Sequence, residues 1–163
     1  MEPDLRLDDR ALLARCTVES FRAGGPGGQH TNRTESAVRV VHRASGATAQ
    51  CQDHRHRARN LADALGRLRL RLAIACRGVA DPAWLDPFRR GKKIMLGPGS
   101  ASYPAVVAVA LDALDTHAGS LAEAAAAIGL SSTQLAKLLT ADKEVRQGAD
   151  ALRTQHGLGP LHA

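Results

Sequence analysis

The spacing of apolar positions along the chain changes several times, and each change marks an element. Asp8 stands before a small apolar cluster at residues 11–14 and is placed to N-cap a short helix there. Residues 17–22 alternate, with Val18 and Phe21 among polar neighbours, which predicts a strand entering a glycine-rich loop. Residues 31–36 are polar and read as a turn or a short helix. Residues 37–42 predict a second strand, residues 44–46 a turn, and residues 47–52 the returning strand of a hairpin, with Cys51 in it. Over residues 60–75 the period lengthens. Leu61, Leu65, Leu68 and Leu72 fall at i, i+4, i+7 and i+11, the apolar stripe of a helix. Arg67 and Arg71 lie four apart beside that stripe, and Arg69 lies farther round. This outward row suits either solvent or a phosphate backbone.

The second half follows a helical period. Residues 78–99 form a connector holding Pro82, Pro87, Gly91, Gly97 and Pro98, with Trp84 and Phe88 expected to anchor it on the core or to stack on bases. Gly91-Lys92-Lys93 is a small basic spot. Residues 102–117 predict a helix with Ser102 as N-cap and Pro104 in the first turn. Residues 121–128, Gly129 and residues 131–139 read as helix, tight turn, helix, with Ser131 or Ser132 capping the second. Ala125, Gly129, Leu135 and Leu138 fit a helix-turn-helix. The second helix carries Lys137 as its one cation, with Thr133 and Gln134 as further polar reach. Plain helical packing, an RNA or ribosome contact and sequence-specific DNA binding all remain open for it, although a DNA-reading helix usually presents more donors. The expected fold is α+β: a small antiparallel sheet with a long basic helix over residues 1–77, a connector over 78–101, and an all-α C-terminal unit with a helix-turn-helix-like pair over 102–163.

Charge narrows the partners. Among 163 residues, 22 Lys and Arg against 16 Asp and Glu give a net charge of +6. This favours polyanions, nucleic acid before an acidic membrane surface. The excess is local. Residues 22–77 hold eleven Arg and no Lys, against Glu35, Asp53 and Asp63, whereas the signs nearly cancel from Asp112 onward. Three widely spaced cysteines and an acidic start without an apolar segment predict a reduced, cytoplasmic protein without a signal peptide. The longest apolar run, residues 104–111, is too short to cross a bilayer, so no membrane partner is expected.

The candidate chemistry sits between the first two strands. Arg22-Ala-Gly-Gly-Pro-Gly-Gly-Gln-His-Thr-Asn-Arg33 has little side-chain bulk, and its glycines permit a close approach of backbone to ligand. Gln29 is the polar amide at the end of the slim part. His30 reads as a general base or as an RNA hydrogen-bond donor. Cys51-x-x-His54-x-His56 has the look of a metal half-site, but no second Cys pair follows nearby, so no metal and no cofactor are expected. Ser36, His42 and Asp53 lack the Gly-x-Ser-x-Gly elbow of a hydrolase triad. Gly97-Pro-Gly-Ser100 lacks the ending of a phosphate-binding P-loop.

The longer pattern is more specific than its parts. Arg22, Gly25, Gly27-Gly28-Gln29-His30, Asn32, Thr34 and Ser36-Ala37-Val38-Arg39 are followed at matching spacing by His42, Gly46, Cys51-Gln52-Asp53, Arg55, Asn60, Ala62 and Ala64-Leu65. Over residues 12–76 the chain resembles the Gly-Gly-Gln catalytic domain of class I peptide-chain release factors and their small codon-independent ribosome-rescue relatives. The resemblance implies a release-factor-like fold and hydrolysis of the peptidyl-tRNA ester on the large ribosomal subunit, with Gly27, Gly28 and Gln29 catalytic. It also implies methylation of Gln29 by a glutamine methyltransferase. Arg22, His30, Arg33, Arg55, Arg57, Arg59, Arg67 and Arg71 are expected to contact rRNA, and Asn32 and Thr34 to brace the loop. The chain departs from the family in two places. It has Arg55-His56-Arg57 where the family has Arg-Ser-Gln, and a near-neutral helical unit where the small rescue enzymes have a basic tail. No room for a stop-codon-reading domain precedes the matched stretch, so a rescue-type monomer is expected, the alternative being a non-catalytic ribosome- or RNA-binding protein on the same fold.

Overall fold

The computed structural model describes residues 4–22, 36–78 and 80–161. It is α+β and divides into two compact units, Met1–Leu72 and Ala73–Ala163. The predicted loop residues Gly27, Gly28, Gln29, His30, Asn32, Arg33 and Thr34 lie outside the described residues.

The first unit opens with a 3-10 turn, Asp4–Arg6, and a short helix α1 (Asp9–Leu13). Asp8 caps α1 as expected, accepting from the Ala11 amide at 2.7 Å. Strands β1 (Cys16–Phe21), β2 (Ala37–His42) and β3 (Thr48–Cys51) form an antiparallel sheet in the order β1-β2-β3. β1 and β3 differ from the predicted spans by a residue at each end, and β2 has the predicted span. Gly46 turns the β2–β3 hairpin at φ +71, a conformation that favours glycine. The register pairs Val18 with Val40, Val40 with Ala49, and Val38 with Cys51. With side chains alternating faces, Val38, Val40, Ala49 and Cys51 are buried while Arg39 and Gln50 are exposed.

The long helix α2 runs Arg57–Ala75. It starts three residues before the predicted residue 60, so Arg57 and Arg59 belong to its first turn. The expected stripe also shifts. Leu61 is only half-buried, and the buried row is Asn60, Ala64, Leu68 and Leu72, with Leu65 beside it. A row at i, i+4, i+8 and i+12 is one ridge of the helix surface, and its first member is polar.

The second unit is built round α3 (Tyr103–Thr116), buried on nearly all sides, with α4 (Leu121–Ala127), α5 (Ser132–Thr140) and α6 (Lys143–Gln155) packed against it. The Tyr103 hydroxyl donates to the Leu138 carbonyl at 3.2 Å, and burial pushes its pKa up to about 12. Ser102 occupies the cap position of α3, but its backbone is already helical and its side chain makes no cap bond, contrary to expectation. Pro104 sits in the first turn as expected. Asp112 of α3 holds the segment after α2, accepting from Gly78 and Ala80 amides at 2.9 Å each and pairing with Arg77 at 3.2 Å.

The connector is more ordered than its composition suggests. A 3-10 segment, Pro82–Phe88, leads into a two-stranded hairpin, β4 (Arg89–Arg90) and β5 (Lys93–Ile94). Leu85 is its buried anchor, whereas Trp84 and Phe88, the expected anchors, are only half-buried. The α4–α5 pair has the expected tight turn. Leu130 N–H donates to Ala125 O at 2.8 Å and Gly129 N–H to Ala126 O at 3.1 Å, the Schellman closure of a helix end. Ser131, not Ser132, caps α5, accepting from Gln134 N–H at 3.2 Å.

Candidate functional site

Phe21 and Ala37 are cross-strand partners at the end of the β1–β2 ladder, so the described chain is paired on both sides of the glycine-rich stretch. On the Ala37 side, the anchor is Asn60. Its side chain is fully buried, with 0 % exposure. Nδ2 donates to the Ser36 carbonyl and to the His54 carbonyl, each at 2.7 Å. Oδ1 accepts from the His54 amide at 2.9 Å and from Cys51 Sγ at 3.4 Å. Both donors and both lone-pair positions of the amide are therefore in use. One side chain at the head of the α2 ridge ties together the residue before β2, the end of β3 and the loop into α2. The pattern reading passes over this role, because its apolar stripe begins at Leu61.

The arginines predicted to contact RNA fall into two groups. Arg67 and Arg71, four apart on α2, reach β3. Arg67 Nη1 donates to Gln50 O at 2.8 Å, and Arg71 Nη1 donates to Thr48 O. Among the described residues β3 is an edge strand, so these guanidiniums satisfy carbonyls that no further described strand pairs. Arg67 also pairs with Asp53 through Nη2. That hydrogen bond holds the Asp53 carboxyl below the ordinary carboxylate range and raises Arg67. A group with a depressed folded pKa stabilises the fold above its ordinary pKa and loses that contribution as pH falls through the depressed value. NMR titration of the Asp53 carboxyl should therefore give a midpoint below the usual one, and Arg67→Ala should move it upward.

The other group surrounds the start of α2. Arg55, His56, Arg57 and Arg59 are all exposed, and no acidic residue lies in the first turn of the helix. Arg57 Nε donates to Ser20 Oγ at 2.8 Å, which fixes it beside β1, and Arg55 Nε donates to His56 Nε2 at 2.9 Å. Cations at a helix N-terminus oppose the helix dipole, a conflict relieved by a bound anion. Arg22, exposed, stands directly after β1. On the outer face of the sheet, Arg39 covers the Phe21 ring at 5.6 Å and pairs with Glu19, its cross-strand partner, at 3.5 Å.

The rival groupings are not assembled. Cys51 Sγ faces Asn60, His54 Nε2 contacts Asp63 Oδ2 at 2.7 Å, and no group of three metal-ligating side chains occurs among the described residues. His42 is bonded to Ser45 at 2.8 Å and lies 3.2 Å from Asp4, away from any pairing with Ser36 or Asp53. Among the described residues no helix is long and apolar enough to cross a membrane.

Comparison with known proteins places a known domain in the first part of the chain. The RF-1 domain family matches residues 13–80, which include Gly27-Gly28-Gln29, all three strands of the β1-β2-β3 sheet, and α2. Peptide chain release factor 1 of Rhodospirillum rubrum is 36% identical over 101 residues, covering 62% of this chain and 26% of that protein. Peptide chain release factor 1 of Novosphingobium aromaticivorans is 39% identical over the same length and shares, and that of Dictyoglomus thermophilum is 46% identical over 71 residues, 44% of this chain and 18% of the relative. The chain thus spans about a quarter or less of the length of these relatives. Residues 13–80 thus carry an RF-1 domain, and over this stretch the chain is similar to class I peptide chain release factors.

Proposed function

We propose that the protein hydrolyses the peptidyl-tRNA ester in the peptidyl-transferase centre of the large ribosomal subunit, in translation termination or in codon-independent rescue of stalled ribosomes. The observation that carries the reading is the RF-1 domain match with Gly27-Gly28-Gln29 inside it. In the reaction, water oxygen bonds to the acyl carbon, the bond from that carbon to the tRNA 3′-oxygen breaks, and a water proton passes to the 3′-oxygen. The ester is already reactive, and RNA supplies most of its surroundings. The protein's part is to present a slim loop and one donor. The Gln29 backbone N–H stabilises the charge developing on the oxyanion or the leaving 3′-oxygen. The Gln29 side chain shapes the pocket and positions the water. Gly27 and Gly28 present that N–H, while Asn32 and Thr34 brace the loop. Methylation of the Gln29 amide by a glutamine methyltransferase belongs to the same reading, as do action as a monomer and a cytoplasmic location.

Docking falls to Arg22, His30, Arg33, Arg55, Arg57 and Arg59, with Arg67 and Arg71 adding charge from the edge of β3. Cationic phosphate contacts release counterions, so affinity for ribosomes should fall with salt. Charge reversal of Arg55 and Arg59 together should lower the slope of log affinity against log salt by about 2. An unchanged slope would remove the start of α2 from the interface. Catalysis is tested separately, by release of labelled peptide from ribosomes that bind the protein. Binding without release would make it a non-catalytic ribosome-binding protein on the same fold.

A further inference from the structure

The second unit is nearly neutral as a whole, with nine Lys and Arg against eight Asp and Glu in residues 73–163, yet its charges are segregated. The acids are largely engaged inside the unit. Asp81 and Asp142 cap helical segments, Asp112 holds the segment after α2, Asp150 accepts from the Leu161 amide at 2.7 Å, and Asp115 contacts His156 at 3.5 Å. Four of the nine cations, in contrast, lie within the five residues Arg89-Arg-Gly-Lys-Lys93. Of these, Arg89 is used internally, donating to Gly129 O at 2.9 Å and lying 3.5 Å from Asp86. Arg90, Lys92 and Lys93 are exposed, and no acidic side chain pairs with them among the described residues.

The hairpin holds these cations in a costly arrangement. Arg90 and Lys93 are direct cross-strand partners, and like charges opposite one another destabilise a strand pair. The turn between them is Gly91-Lys92, with Gly91 at φ +57, the positive φ that two-residue hairpin loops require. The hairpin is also fixed to the α4–α5 turn. Ser131 N–H donates to Lys92 O at 3.3 Å, and Arg89 reaches Gly129, where a Cβ would stand 2.5 Å from its Nη1. The missing side chain of Gly129 thus makes room for the arginine that seats the hairpin. As a result, Arg90, Lys92 and Lys93 stand beside the start of α5, whose exposed residues include Ser132, Thr133 and Lys137. Exposed cations held together against local preference are the kind of feature found at binding surfaces.

We propose that this hairpin and the exposed face of α5 form an RNA-backbone docking surface in the second unit, distinct from the cations of the RF-1 domain. The surface offers ammonium, guanidinium and hydroxyl donors suited to phosphate oxygens, whereas of the α5 side chains able to read base edges Lys137 is exposed and Gln134 is half-buried. It therefore recognises a backbone and not a sequence. The choice of RNA over DNA rests on the function proposed above. The helix-turn-helix-like pair, in this account, is a rigid mount for the hairpin.

The test uses the full chain carrying R90E, K92E and K93E. Binding is measured against purified large ribosomal subunits, protein-free rRNA from those subunits, and a DNA duplex, across salt concentrations. The expected result is a loss of at least about tenfold in affinity for subunits and for protein-free rRNA, with the salt slope reduced by about 2 to 3. Thermal unfolding should be unchanged, and the milder R90Q, K92Q and K93Q variant should show a smaller loss in the same direction. Unchanged affinity and slope on subunits, alongside a loss for the R55E and R59E variant, would overturn this inference and leave the proposed function standing. A loss on subunits but not on protein-free rRNA would indicate a protein partner and overturn it, as would a loss confined to the DNA duplex.

Discussion

Replacing Gly28 with valine should reduce peptide release by at least about 10²- to 10³-fold, the range expected when one oxyanion donor is lost. Valine is β-branched and stiff at χ1, and it adds bulk to a stretch whose proposed work is close approach. It also removes the conformational freedom of glycine beside the proposed Gln29 donor. The fold should survive, because the buried core of the first unit is made by Leu12, Val38, Val40, Ala49, Leu68 and Leu72, which the substitution leaves unchanged. Ribosome affinity should also persist, since the arginines at the start of α2 are untouched. The comparison variant Gln29→Ala should be milder, because it keeps the backbone N–H. Single-turnover release with saturating protein separates the two effects. Release by Gly28→Val at the wild-type rate would remove the proposed role of the backbone donor.

The second large effect is expected at Asn60. Substitution by leucine keeps the branched outline, adds bulk, and leaves the Ser36 carbonyl and both backbone groups of His54 without their buried partner. Each unsatisfied buried group costs about 1–3 kcal/mol, so the loss should reach about 3 kcal/mol or more. This is a large fraction of the stability of an ordinary domain. Asn60→Asp should also be costly, because it keeps an acceptor for the His54 amide but sets a buried carboxylate oxygen against the Ser36 and His54 carbonyls. Urea unfolding followed by circular dichroism should show the shifted midpoint for the transition of the first unit. Release should fall as well, because Ser36 is the described residue from which the chain leaves the glycine-rich stretch. A shift under about 1 kcal/mol would mean that Asn60 is not the joint of these three segments.

The parts of the fold with a strong period were legible beforehand. β2 sets Val38, Val40 and Val41 around Arg39, and α3 is apolar on nearly all sides. Local chemistry was legible too, in the Asp8 cap, the Gly46 turn and the Schellman closure at Gly129. The buried ridge of α2 was misread at its first position, because leucine counting selects Leu61 while the satisfied amide of Asn60 takes the place in the core. Satisfaction of that amide depends on His54 and Ser36, which no local pattern connects to it. The hairpin at residues 89–94 was hidden for a related reason. Its two strands are two residues each and mostly charged, so it shows no alternation, and its support comes from Gly129 and Ser131. α6 was not distinguished within the helical unit, since only Val145 and Ala149 are buried along it. The candidate site was legible as a motif, while the division of the α2 arginines between strand edge and exposed surface required the structure.

The central claim is ester hydrolysis on the ribosome, and single-turnover release tests it most directly. Labelled peptidyl-tRNA is placed in ribosomes stalled with a sense codon or with no mRNA in the decoding site, and in isolated large subunits. Peptide release from at least one of these without a stop codon, lost in Gly28→Val, is the predicted result. Stable binding to all three with no release by the wild-type protein would contradict the account.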